Sequence, residues 1–309
     1  MVGYIFQENK INLMKMKKII VMSSGLLVLL TSNLWAQQES VLAFYKTHLN
    51  LVNPAVVGID EATIFTSTVR KQWTGIKDAP ETQAVSFMTP LENNLSFGVS
   101  VIRDKVFIET QTYMSIDFSY KVKLNDDLDL FMGVKAGANN YEVNTSGLQT
   151  YNIASDPSLG NISRMHPNFG VGFYLKNKNY FVSLSTPKML SSERAKNVEG
   201  YGTVTTDRTH IYLSGGYTYQ INEEVTFSPS FMFRYVNGAP LSTDFTAAVN
   251  VSELADFALT YRTDNAIAGM TLFKVNKNFK LGYAYEYITS KDLLGRANGT
   301  HELLLRYQL

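Results

Sequence analysis

After residue 37 no stretch keeps the 3.6-residue period of an amphipathic helix, whereas apolar and polar side chains alternate with a period of two in segments that recur nearly to residue 309. In residues 116–124, Ile116, Phe118, Tyr120, Val122 and Leu124 fall on one face, while Asp117, Ser119, Lys121 and Lys123 fall on the other. Residues 225–235 repeat the pattern, with Val225, Phe227, Phe231, Phe233 and Tyr235 set against Thr226, Ser228, Ser230 and Arg234. Such segments predict strands with two unlike faces. Fourteen can be placed: 62–72, 81–90, 94–103, 108–124, 127–141, 165–176, 179–186, 206–221, 224–236, 241–251, 254–262, 265–275, 278–288 and 299–309. Most reach the roughly 9–11 residues that a tilted strand needs to cross a bilayer.

Every second connection is terse and polar: Glu92-Asn93-Asn94, Asn125-Asp126, Asn177-Lys178-Asn179, Asn222-Glu223, Ser252-Glu253 and Asn276-Lys277-Asn278. These residues form tight turns at little cost. The intervening connections are long around 73–80, 142–164, 187–205 and 289–298 and short at 104–107, 237–240 and 263–264. Bacterial barrels alternate short periplasmic turns with longer external loops. The chain therefore reads as all-β, a transmembrane antiparallel β-barrel of fourteen strands over residues 61–309, with its long connections facing out. A soluble β-sandwich also alternates. Strand length, the turn and loop alternation, and a last strand with Leu303, Leu305, Tyr307 and Leu309 on one face favour the barrel. Tyr217, Tyr219, Tyr283, Tyr285 and Tyr287, at or near strand ends, are expected in an interfacial girdle.

Ahead of the strands, Lys15, Lys17 and Lys18 precede an apolar run from Ile19 to Leu30 and then Thr31 to Ala36, the layout of a secretory signal peptide. We expect an upstream extension and signal peptide over 1–36, with Met14 or Met16 as initiator and cleavage after Ala36. Residues 37–60 are expected as a short N-terminal periplasmic segment before the barrel. Removing 1–36 takes away Lys10, Lys15, Lys17, Lys18 and Glu8, turning a net charge of +1 into −2. No basic face remains for nucleic acid. The absence of Cys excludes disulfides and thiolate chemistry. Aromatic residues make up 12% of the chain, yet mean hydropathy is −0.08, the mixture expected where lipid-facing and lumen-facing residues alternate.

Catalytic chemistry has little to stand on. His48, His166, His210 and His301 form no paired-ligand spacing, and no nucleophile elbow, phosphate loop or dinucleotide fingerprint is present. We assign no catalytic, cofactor-binding or metal-binding residue. An outer-membrane lipid hydrolase, the least favoured reading, would need a Ser and a His that no spacing selects. Lys121, Lys123, Lys135, Arg234, Asp244, Arg262, Glu286, Glu302 and Arg306 are placed in the lumen, where they either line a pore or pair with one another. Pairing is expected, because unpaired charge in a confined low-dielectric space is costly. Gly170, Gly172, Gly215, Gly216 and Gly282 lie inside strands and predict close packing or bends.

Several stretches exceed what alternation demands: Phe44-Tyr45, Asn53-Pro54-Ala55 with Gly58, Arg70-Lys71-Gln72-Trp73-Thr74-Gly75, Ala79-Pro80-Glu81-Thr82-Gln83, His166-Pro167-Asn168-Phe169-Gly170, Gly238-Ala239-Pro240 and Gly299-Thr300-His301-Glu302. In content and order the chain resembles the PorP/SprF family of outer-membrane proteins, associated with type IX secretion and gliding motility in Bacteroidota. Two departures are visible, Val56-Val57 after Ala55 and Thr300 before His301-Glu302. The resemblance implies a non-catalytic barrel that works with periplasmic and lipoprotein components and with a secreted surface protein, amid outer-membrane lipid. The residues that carry it, Asn53, Pro54, Arg70, Gln72, Trp73, Gly75, Pro80, His301 and Glu302, are the candidates for partner binding. Trp73 reads either as a girdle residue or, beside Arg70 and Gln72, as a loop anchor for a partner. A diffusive channel for small or lipidic solutes is the alternative that barrel size allows.

Overall fold

The computed structural model describes residues 41–145, 161–190, 208–252, 254–263, 266–289 and 297–309. The expected signal peptide and most of the expected loops 142–164, 187–205 and 289–298 lie outside these residues. The strands are β1 (Ile64–Lys71), β2 (Glu81–Pro90), β3 (Leu95–Val106), β4 (Glu109–Asn125), β5 (Leu128–Val143), β6 (Ile162–Asn177), β7 (Tyr180–Thr186), β8 (His210–Tyr217), β9 (Tyr219–Gln220), β10 (Val225–Val236), β11 (Ser242–Val251), β12 (Ala255–Arg262), β13 (Ala266–Lys274), β14 (Phe279–Ile288) and β15 (Thr300–Gln308). Because β8 and β9 both pair with β10 on either side of Thr218, they are two lengths of one stave, so the wall has fourteen. All pairings are antiparallel, and β15 closes on β1 with Ile64 opposite Gln308 and Lys71 opposite His301. A closed sheet leaves no unpaired edge, which a bilayer would not tolerate.

The two faces are opposite to those of a soluble sandwich. On β4, Ile116 and Phe118 are each 46% exposed, whereas Asp117 between them is fully buried. Met114 and Tyr120 continue the exposed face and Ser115 and Ser119 the buried one. The inside is mainly polar and the middle of the outer wall apolar, with Phe169, Phe173, Leu213, Tyr235, Phe245, Leu259, Phe273, Tyr283 and Leu305 facing out. Only a lipid solvent makes this arrangement favourable. The expected girdle tyrosines Tyr217, Tyr219, Tyr283, Tyr285 and Tyr287 are all exposed.

The terse connections gather at one end and share a device. The Oδ1 atoms of Asn125, Asn177, Asn222 and Asn276 each accept a backbone N–H two residues on, from Asp127, Asn179, Glu224 and Asn278. Such Asx turns bend the backbone in place of a ladder bond. Asn93 and Asn94 take left-handed φ values of 59° and 63°, which asparagine adopts readily. At the opposite end, β4, β5 and β6, of 17, 16 and 16 residues, extend past neighbours that are mostly 7 to 12 residues long.

Candidate functional site in the barrel lumen

Residues 41–59, expected as part of a periplasmic segment, run inside the barrel instead. The sequence between Leu42 and Gly58 is buried almost throughout, with two short 3-10 turns at Leu49–Leu51 and Pro54–Gly58. Apolar residues of this plug meet inward aromatic and aliphatic side chains: Tyr45, Leu49, Ala55 and Val56 join Phe131, Tyr174, Tyr212 and Met232. Ala43 and Phe44 join Met270, Leu272, Ala284 and Leu304. A wall that is otherwise polar thus keeps apolar patches for the segment it encloses.

The second turn of the plug lies in a groove cut by small residues. Register places Ser96, Ser119, Gly133, Gly172 and Ser185 on one rung across β3 to β7. A Cβ on Gly133 would stand 2.2 Å from the Ala55 backbone nitrogen, and one on Gly172 would stand 1.9 Å from Asn53 Oδ1. Neither position has room for a side chain while the plug is seated. Asn53 is extended, as expected of a residue before proline, and caps the turn: its Oδ1 accepts from Ala55 N at 2.9 Å. Its Nδ2 donates to Phe173 O at 3.1 Å and to Ser183 Oγ at 2.8 Å. Ser119 Oγ donates to Ala55 O at 2.9 Å. Asn53 and Pro54 are therefore lumen residues that lock plug to wall.

Polar struts hold the middle of the plug. The ammonium of Lys135, paired with Asp117 at 2.9 Å, donates to Asn50 O at 3.2 Å. His48 stands between Thr68 Oγ1 at 3.0 Å and Ser86 Oγ at 2.8 Å. Burial, with Arg306 and Lys135 nearby, pushes the His48 imidazole down to about 3. The ring, 1% exposed and held between two hydroxyls, braces the plug against β1 and β2.

Towards the loop end, carboxylates and guanidiniums alternate along the inner wall. Glu302 on β15 accepts the backbone N–H groups of Ala43 and Phe44 at 2.7 and 3.0 Å and pairs with Arg70 on β1 at 3.2 Å. Arg70 pairs with Glu286 on β14 at 2.8 Å, and Glu286 with Arg262 on β12 at 2.7 Å. Arg262 and Arg234 both pair with Asp244 on β11 at 3.0 Å. Three acids and three arginines form a neutral chain along five staves and β1. Lys121 pairs with Glu61 and Asp129 and Arg306 with Asp60 near the turn-end mouth, whereas Lys123, expected in the lumen, is exposed at the β4–β5 turn and pairs with Asp126 there. The Lys121 ammonium holds the Glu61 carboxyl, at the turn-end mouth, below its usual value.

Beyond Asn53 and Pro54 in the plug, the candidate residues divide among three places. Arg70, expected near the loop as a partner anchor, is 2% exposed and points inward, where Glu286 and Glu302 hold it; it is unavailable to an external partner. Glu302 shares that site. His301, one residue away, faces outward, its Nδ1 2.8 Å from Tyr283 Oη. Gln72, Trp73, Gly75 and Pro80 lie at the loop-end rim. There Gln72 N donates to Pro80 O at 2.9 Å, Trp73 N to Thr300 Oγ1 at 3.4 Å and Thr74 N to Gly299 O at 2.9 Å, continuing the β1 ladders beyond Lys71. Trp73 is half-buried with a φ of 48°, and Gly75 has a φ of 94°. Sequence reasoning took His48 only as a histidine without ligand spacing, and it missed Gly133 and the identity of Asp117 as the partner of Lys135. Glycine at a position of lumen parity, opposite another glycine, is the one signal of the bed that alternation offers.

Fold and lumen together define a plugged outer-membrane β-barrel. The sequence matches the profile of the type IX secretion system membrane protein PorP/SprF over residues 34–307, and the chain belongs to that family. No curated protein matches the chain. Similar solved structures include the CymD monoaromatic hydrocarbon channel, with a TM-score of 0.50, 8% identity, and 84% of this chain and 91% of that one covered. A Pseudomonas aeruginosa FadL homologue matches with a TM-score of 0.46 and 12% identity over 82% and 92% of the two chains. The Acinetobacter baumannii outer membrane protein Omp33 matches with 0.47 and 7% over 81% and 99%. At these identities the likeness is one of fold.

Proposed function

We propose that this barrel serves the type IX secretion machinery as a closed docking platform that aids secretion or surface attachment of a partner protein. It neither catalyses a reaction nor passes solutes. The observation that carries this reading is the plug, which engages inward groups on β1, β2, β4, β5, β6, β7, β10 and β15 and so reaches from wall to wall. A solute would have to displace it. In this reading the long connections, with Gln72 to Pro80 at their base, meet the secreted surface protein, and the turn end meets periplasmic and lipoprotein components. Localisation follows from export by residues 15–36 with cleavage near Ala36.

The test is a deletion strain complemented with the wild-type chain. Protease shaving of intact cells followed by mass spectrometry should show a defined set of surface proteins lost on deletion and restored by complementation, with small-solute uptake unchanged. An altered solute uptake with an intact surface set would point to a channel and end the proposal.

A further inference from the structure

Near the loop end, outward side chains are apolar or aromatic along most of the wall, as at Phe169 on β6, Ile211 on β8, Tyr235 on β10, Tyr261 on β12 and Tyr287 on β14. Strands β1 to β3 depart from this. Register sets His301, Lys71, Glu81 and Lys105 on one outward rung across β15, β1, β2 and β3, and Leu303, Val69, Gln83 and Arg103 on the next. One rung further from the loops the charges end, with Leu305, Val85 and Val101 beside Ser67 on β1. The Lys71 side chain is 64% exposed, and Arg103 and Lys105 are exposed with no ion-pair partner among the described residues. The carboxylate nearest these cations, Glu81, lies 3.9 Å from Lys71 and accepts a hydrogen bond from Gln83 at 2.7 Å. The first rung continues through Thr110 on β4 to Glu142 on β5, two strands beyond Lys105, where Asn140 donates to it at 2.8 Å.

Cations on the lipid face of a barrel are costly at mid-bilayer and nearly neutral at its edge, so the patch belongs at headgroup level. We propose that Lys71, Arg103 and Lys105 form a binding site for the phosphate groups of an anionic lipid headgroup in the leaflet at the loop end. Arg103 and Lys105 are two residues apart on one strand, about 7 Å, a spacing at which both can reach one phosphate. Lys71 stands two strands away, about 10 Å, within reach of a second. The guanidinium of Arg103 supplies paired donors that match phosphate oxygens.

The experiment reconstitutes the purified barrel in phosphatidylcholine vesicles containing diphosphorylated lipid A, re-extracts it, and counts lipid A per barrel by mass spectrometry. Removing two charges in Arg103→Gln/Lys105→Gln should lower retention about 25-fold, at about fivefold per charge. Glu81→Gln removes the competing carboxylate and should raise it. A heat-modifiable gel shift shows that each variant is folded; if the double variant is not, Glu81→Gln alone decides. Equal retention of dephosphorylated lipid A by the wild type, retention unchanged in a folded double variant, or retention unchanged or lowered in Glu81→Gln would each overturn the site.

Discussion

Glu302 joins two wall strands and the plug at a single carboxylate. It neutralises Arg70 and accepts the N–H groups of Ala43 and Phe44, which would otherwise be buried without partners. Glu302→Ala should cost about 3 kcal/mol, since breaking a buried pair leaves the opposite charge poorly compensated. A heat-modifiability series in detergent checks this. His48 adds a pH dependence. Its value in the folded barrel, about 3, lies below the ordinary 6.5, so stabilisation by the neutral ring is complete above pH 6.5 and is lost as pH falls towards 3. The unfolding midpoint should therefore drop more between pH 7 and pH 4 in the wild type than in His48→Gln, which removes the titrating ring. Sequence pattern put Glu302 in the lumen and pairing rules gave it a cation. It grouped Arg70 with the rim residues Gln72 and Trp73 without giving it a face, although its parity with Thr66 and Thr68 points inward.

At the scale of elements, strands were legible and the plug was not. The segment 81–90 is strand β2 without adjustment, and the terse asparagine turns fall where they were expected, because alternation and turn chemistry are local. The stave expected at 206–221 is interrupted at Thr218. Residues 41–59 carry no strand period, and their burial depends on wall residues up to 259 positions away, as with Ala43 and Glu302, and on a groove whose Ser183 lies 130 positions from Asn53. That groove gives the next prediction. Gly133→Val places a branched side chain against the Ala55 backbone, which cannot turn aside, and should cost at least the 1–3 kcal/mol typical of overpacking. The barrel strands themselves should persist, so limited proteolysis should release the plug while the heat-modifiable band remains. Orientation is checked separately: a protease site placed in 187–205 should be cut on intact cells and one at 177–179 spared.

For the whole molecule, the family and the barrel place the chain in the outer membrane as part of type IX secretion, and the plug bears on how it serves there. A barrel of fourteen staves is wide enough to need filling or to conduct. This one spends its inward aromatics, its small-residue rung and its ion-pair chain on holding residues 41–59. The most direct test is single-channel recording of the purified protein in a planar bilayer, beside Gly133→Val. The account predicts no steady conductance for the wild type and frequent openings for the variant. A stable open channel in the wild type, of the same size as in Gly133→Val, would contradict it.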